Sequence, residues 1–380
     1  MGGTRETRID LIRGLSLLMI FVGHATFVFS EAFQQSRGFS DASELFVMMA
    51  GMSAALAYFP LARPFSFRAT AAKTLRRAGK LYGIHVALVL VLLLASCAPV
   101  LKNNPAIMAT FGLTDFWRDS THLLGEVLLL QFMPGDLDIL PLYVLLLAII
   151  PVVFWLYERS AWLLGAMAAG LWLVAGAGHL NLVNLALPTG SWYFDPLSWQ
   201  LIFTLGILAG IQVKRGQNPF PYHRGLFALA LTLVLVAIPL NLLIHFHFTG
   251  ISGSAAYHAL TSKTNNGLLR LLNALAIVYV VWNVEAIRRI DPRGMLRPIY
   301  AAGRNSLPTF VSGLVLSLMI AALMASGIAV PIALQLLMLV VGCAAQLAIA
   351  LYADERTRRL RQEAESRRTV AAFPSAAPLK

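Results

Sequence analysis

The chain has 380 residues, of which 58% are hydrophobic and 13% charged, and its mean hydropathy is +0.71. A soluble chain carries roughly a quarter charged residues, so this composition excludes an ordinary soluble enzyme and implies an integral membrane protein. The formal net charge of +12 does not point to nucleic acid. The basic residues lie between apolar segments, where they encode orientation rather than a polyanion-binding face.

In chain order, ten apolar stretches approach the length needed to cross a bilayer. They fall near 11–29, 41–59, 81–99, 139–157, 161–178, 197–213, 226–247, 268–288, 306–326 and 331–352. Arg5 and Arg8 before the first stretch resemble a signal peptide, but Asp10, Arg13 and His24 within it argue for a retained helix. A shorter apolar piece, 122–133, ends at Pro134-Gly135 and reads as re-entrant or interfacial. Cys97 and Cys343 lie in or beside apolar stretches and form no disulfide framework. The expected architecture is therefore an all-α polytopic transmembrane helix bundle: one domain over 1–352, then a charged, disordered cytoplasmic tail over 353–380.

Placing both termini in the cytoplasm puts 25 of the 30 Lys and Arg residues on the inner side, leaving Arg37, Lys102, Arg118, Lys263 and Arg270 outside. That asymmetry is a strong positive-inside signal. Counting 122–133 as a full span would reverse everything after it.

Ionisable residues inside spans are costly and are functional candidates by default. Arg13 and His24 are eleven residues apart, close to three helical turns, so they share a face and stand roughly 16 Å apart along the axis. Arg13 then sits at the cytoplasmic mouth and His24 in the outer half of the bilayer. The second span begins with Asp41 and Glu44, one turn apart. A tight hairpin brings them to the depth of His24, and a carboxylate-held histidine is a minimal general base. Asp41 also suits an N-cap, and both readings stand at this point.

On the cytoplasmic side, Arg63, Arg68, Lys73, Arg76, Arg77 and Lys80 precede His85, and Arg304, Asn305 and Ser306 lie at the same level. Orientation alone accounts for such charge; the sharper reading is a cradle for the phosphates of a nucleotide. On the outer side, Asp136 and Asp138, then Asp195, Trp199 and Gln200, offer the carboxylate, amide and aromatic groups that a sugar acceptor needs. His245 and His247, two apart on a helix, face different ways and make no metal pair. No P-loop, H-E-x-x-H or G-x-S-x-G motif is present.

Five stretches then carry a resemblance. RIDLIRGLSLLMIFVGH (8–24) is similar to the opening helix of multi-span membrane acyltransferases. GFSDASELFVMMAGMSAALAY (38–58), DILPLYVLLLAIIP (138–151), WYFDPLSWQLIFTLGILAG (192–210) and GRNSLPTFVSGLVLSL (303–318) resemble one branch, the OpgC family, in order along the chain. Asp195 stands where Asn is expected. The resemblance implies transfer of an acyl group, typically succinyl, from cytoplasmic acyl-CoA to hydroxyls of a periplasmic glucan across a bacterial inner membrane. Joined to the residues above, it assigns His24, Glu44 and Asp41 to catalysis. Arg13, Arg76, Arg77, Lys80, His85, Arg304, Asn305 and Ser306 fall to the donor, and Asp136, Asp138, Asp195, Trp199 and Gln200 to the acceptor. No metal, resident cofactor or nucleic acid is expected; the partners are membrane lipid, acyl-CoA and the glucan, with a homodimer left open. The competing class is a transporter or flippase using the same intramembrane charges.

Overall fold

A computed structural model of the chain describes residues 6–61, 64–114, 123–248, 251 and 254–372. Seventeen helices account for its regular structure among the described residues. The first half comprises α1 (Thr7–His24), α2 (Ser30–Gln35), α3 (Ala42–Tyr58), α4 (Phe67–Ser96), α5 (Pro99–Lys102), α6 (Pro105–Thr110), α7 (Leu123–Leu128), α8 (Ile139–Arg159) and α9 (Ala161–Gly178). The second comprises α10 (Pro196–Lys214), α11 (Arg224–His245), α12 (Ala255–Thr261), α13 (Leu268–Asn283), α14 (Glu285–Arg288), α15 (Arg297–Arg304), α16 (Ser306–Ala325) and α17 (Ile332–Ala372).

Seven of these, α4, α8, α9, α10, α11, α16 and α17, are long and apolar enough to cross a membrane, and α3 and α13 are shorter apolar helices. The protein is an all-helical membrane protein. α1 carries Arg8, Asp10 and Arg13 within 18 residues, a charge density that sets it apart from a lipid-facing span. Its face is instead covered by α3, α15 and α16.

The close helix crossings are made where side chains are absent. Gly51 of α3 lies against the Phe203 carbonyl of α10, while Gly206 and Gly210 lie against the backbone of Met48 and Met52. Any Cβ at these positions would collide with backbone, so α3 and α10 approach as small-residue membrane helices do. Gly14 and Gly303 play the same part between α1 and α15, opposite the carbonyls of Ile299 and Asp10.

Three boundaries differ from the sequence reading. The first helix stops at His24 rather than near residue 29, because Thr26 adopts a left-handed backbone (φ 51°). Its exposed terminal carbonyls are taken up by side chains from α2: Ser30 Oγ donates to Val22 O at 2.6 Å and Gln34 Nε2 to Gly23 O at 2.9 Å. α4 begins at Phe67, well before the apolar stretch, so the basic residues after position 67 form its first turns. Finally, α17 continues through much of the stretch expected to be a loose tail, up to Ala372; positions 373–380 lie outside the described residues, as do Arg5, Arg63, Arg118 and His122.

Candidate active site

The C-terminal end of α1 delivers His24 to a pocket formed with Ser43 of α3, Asp138 and Ile139 at the start of α8, Phe194, and Phe310, Gly313, Leu314 and Ser317 of α16. The carboxylate that meets the imidazole comes from the turn before α8. Gly135, at φ 62°, reverses the chain, and its N–H donates to Phe111 O at 2.8 Å. Asp136 Oδ2 then lies 2.9 Å from His24 Nδ1. Burial opposes ionisation of Asp136, but the adjacent His24 imidazole overcomes it and holds the carboxyl below its ordinary range. Asp138, only 7% exposed, is pushed up to about 7, first by burial and then by the charge of Asp136. Two neighbouring carboxyls thus have divergent affinities for a proton, the arrangement by which one stays ionised and the other holds a proton near neutrality.

The expected pairing of His24 with Glu44 or Asp41 is not formed. Asp41 is the N-cap of α3, its Oδ1 accepting Ser43 N at 2.7 Å, and Glu44 Oε2 accepts Asp41 N at 2.9 Å to complete a capping box. Their remaining oxygens are held by cations. Lys263 Nζ is 2.7 Å from Asp41 Oδ2, Arg270 Nη2 is 3.0 Å from the same atom, and Arg270 Nε is 2.6 Å from Glu44 Oε1. Burial raises the Asp41 carboxyl, yet Lys263 and Arg270 bring it well below the usual carboxylate range. A carboxylate clamped by two cations and a helix N-terminus has no remaining tendency to orient an imidazole. Glu44 and Asp41 brace the N-terminal end of α3 against the 263–270 segment.

A larger cavity of about 350 Å³ adjoins this chamber. Arg13, Arg77, Arg304 and Ser306 supply its polar lining with Ser53, Tyr58 and Tyr143, and Phe46, Leu81 and Leu147 part of its apolar wall. Ile139 and Phe310 line both volumes, so the two abut at that pair. The His24 chamber itself offers about 20 Å³, room for about one water. Arg13 Nη1 donates to Ser53 Oγ at 3.0 Å. The Tyr143 hydroxyl is buried without a hydrogen-bond partner among the described residues.

The donor assignments divide on helical phase. Arg77 and Leu81 are one turn apart and both line the cavity, whereas Arg76 and Lys80 lie on another face of α4, exposed and away from it. His85, expected at the level of the basic cluster, is eighteen residues into α4, roughly 27 Å along its axis; it is fully buried and lines neither cavity. Arg304 does reach the cavity, but Asp354 of α17 grips it with two bonds of 2.9 Å. Asn305 Nδ2 donates to Ala301 O at 3.0 Å and Ser306 Oγ to Gly303 O at 2.6 Å, holding the α15–α16 corner.

Of the acceptor candidates, Asp136 and Asp138 belong to the His24 chamber and the other three are structural. Asp195 is fully buried as the N-cap of α10, accepting Leu197 N at 2.9 Å and Ser198 N at 3.1 Å. Trp199 is also fully buried, its Nε1 donating to Lys263 O at 2.9 Å. Gln200 Nε2 donates to Ala168 O at 2.8 Å, tying α10 to α9. Lys263 and Asp354 were not singled out from sequence as site residues. Neither has a local motif, since each matters only through a partner distant in the chain.

No curated protein and no solved structure matches the chain. A family model described as OpgC protein does match, over residues 5–358. That span takes in every element described above except the end of α17, and the chain belongs to the OpgC family.

Proposed function

We propose that this chain is a membrane O-acyltransferase of a bacterial inner membrane, with about ten spans and cytoplasmic termini. It moves a succinyl group from cytoplasmic acyl-CoA to a hydroxyl of a periplasmic glucan. One observation carries the reading: a cavity bearing three guanidinium groups abuts, at Ile139 and Phe310, a chamber holding a carboxylate-paired histidine. Acyl-CoA is a polyanion with a long, thin pantetheine arm ending in a thioester. Arg77 suits its phosphates, Arg13 and Tyr143 offer donors to the amide carbonyls of the arm, and the apolar wall suits the arm itself.

In this reading Asp136 accepts the Nδ1 proton of His24 and so leaves the Nε2 lone pair to act. Nε2 removes the proton of the sugar hydroxyl as its oxygen attacks the thioester carbonyl. The new C–O bond forms, the C–S bond breaks, and the imidazolium returns its proton to the departing CoA sulfur. Protons and electrons balance, and no intermediate ester on the protein is required. Purified protein carrying His24→Ala tests this. Succinyl transfer to glucan falls to background while succinyl-CoA still raises thermal stability; unchanged transfer removes His24 from the chemistry.

A further inference from the structure

A third cavity, about 230 Å³, is lined by the α2–α3 segment together with Tyr193, Lys263 and Arg270 and holds roughly eight waters' volume. Gln34, Gln35, Ser40, Asp41, Tyr193 and Lys263 are among its lining residues. It lies one layer of residues from His24. Tyr193 lines this cavity and its neighbour Phe194 lines the His24 chamber, their rings edge-on with centroids 5.0 Å apart. Gln34 also binds the carbonyl of Gly23, next to His24. Lys263 Nζ stands 5.4 Å from the Tyr193 ring centroid and 5.6 Å from that of Phe194.

The charges decide what fits. The two cations of this cavity's wall, Lys263 and Arg270, are already matched by Asp41 and Glu44 at 2.6–3.0 Å, so an incoming anion would have to compete with carboxylates in place. What remains on offer is a mixture of amide and hydroxyl donors and acceptors beside an aromatic face, since Tyr193 is 39% exposed. Alternating hydrogen-bond partners with one aromatic wall match a neutral, hydroxyl-rich sugar ring.

We propose that this cavity docks the acceptor glycan, Tyr193 stacking on a sugar ring beside the one whose hydroxyl enters the His24 chamber. The proposal rests on the acyltransferase reading for the purpose of the docked sugar, and its test separates the two. Saturation-transfer NMR of a short glucose oligosaccharide on detergent-purified His24→Ala protein reads docking without turnover. Signal is expected, is lost when Tyr193→Ala is added, and is kept with Tyr193→Phe. In the active protein, Tyr193→Ala raises KM for the oligosaccharide about tenfold, the scale of one lost aromatic contact. The thermal shift given by succinyl-CoA stays unchanged. Transfer by the wild type with the same KM in Tyr193→Ala overturns the docking site alone. Sugar binding that depends on Tyr193, without any transfer, overturns the acyltransferase reading and leaves the docking site standing.

Discussion

His24 Nδ1 and Asp136 Oδ2 are 2.9 Å apart, although six helices, α2 to α7, separate the two residues in the chain. The geometry makes Asp136 the acceptor of the Nδ1 proton and so selects the tautomer whose Nε2 is basic. Asp136→Asn keeps the shape but offers an amide that can donate to Nδ1, stabilising the opposite tautomer. The expected loss in kcat is about 10²–10⁴-fold, the usual worth of a positioned base. Succinyl-CoA binding, read by thermal shift, stays within twofold, because the donor cavity does not include Asp136.

Asp138 gives a pH dependence with a definite sign. Its carboxyl is raised to about 7 by burial and by Asp136, against an ordinary value of 3.8. A carboxyl raised on folding holds its proton more tightly in the folded state, so its contribution is fully present below pH about 4 and is lost as pH climbs through 7. Asp136 behaves oppositely, its depressed carboxyl contributing above the ordinary value and losing that contribution only in acid. Between pH 5 and pH 8 the wild-type Tm should therefore fall more steeply than that of Asp138→Asn, a neutral isostere. The two curves, measured by differential scanning fluorimetry in one detergent, separate by a few degrees at pH 8 and converge near pH 4. Parallel curves would show that Asp138 is ionised throughout.

The acidic pair of α3 tests the division between bracing and chemistry. Glu44 is fully buried and its Oε1 meets Arg270 Nε at 2.6 Å. Glu44→Ala removes one of the two carboxylates that Arg270 meets, leaving Asp41, and costs about 1.5–3 kcal/mol, visible as a drop in Tm and in yield. Glu44→Gln keeps the capping bond and loses less. What folds of either variant should retain kcat within a few-fold, whereas Asp136→Asn should lose kcat far beyond what its drop in Tm accounts for. A Glu44→Gln protein with wild-type Tm and no turnover would return Glu44 to the chemistry.

How far the sequence could be read follows from the kind of contact involved. Apolar length and charge asymmetry reveal the helices, since each is a property of one segment. The helical period also brings Arg13 and His24 onto one face, and both line cavities that meet at Ile139 and Phe310. The identity of the histidine's partner was not legible. Glu44 and Asp41 stood near in sequence and had the right chemistry, but two cations later in the chain, Lys263 and Arg270, consumed both. Those cations had registered only as exceptions to the charge rule. Asp195, Trp199 and Gln200 looked like acceptor groups because caps and buried indoles use the same side chains as sugar sites; only their partners, backbone groups of α9, α10 and the 263–264 turn, tell them apart.

Phe310 is where the two volumes can be joined. It is 6% exposed and, with Ile139, lines both the 350 Å³ donor cavity and the 20 Å³ His24 chamber. In the proposed reaction, a chamber the size of one water admits a thioester only when these side chains yield, which would make Phe310 the restriction on the acyl groups that reach His24. Phe310→Ala removes the ring and leaves a continuous passage. Truncating a buried Phe costs about 3–5 kcal/mol, less here because one side of the ring already faces open space. Turnover with succinyl-CoA is expected to fall, as the small acyl group is held less closely against His24. Turnover with a longer dicarboxylic acyl-CoA, such as adipyl, rises relative to it by about tenfold, equivalent to roughly 1.4 kcal/mol of relieved crowding. Competition assays with both donors in one reaction measure that ratio directly, free of differences in folded yield. A ratio unchanged from wild type would mean that the acyl group reaches His24 by a route that does not pass Phe310.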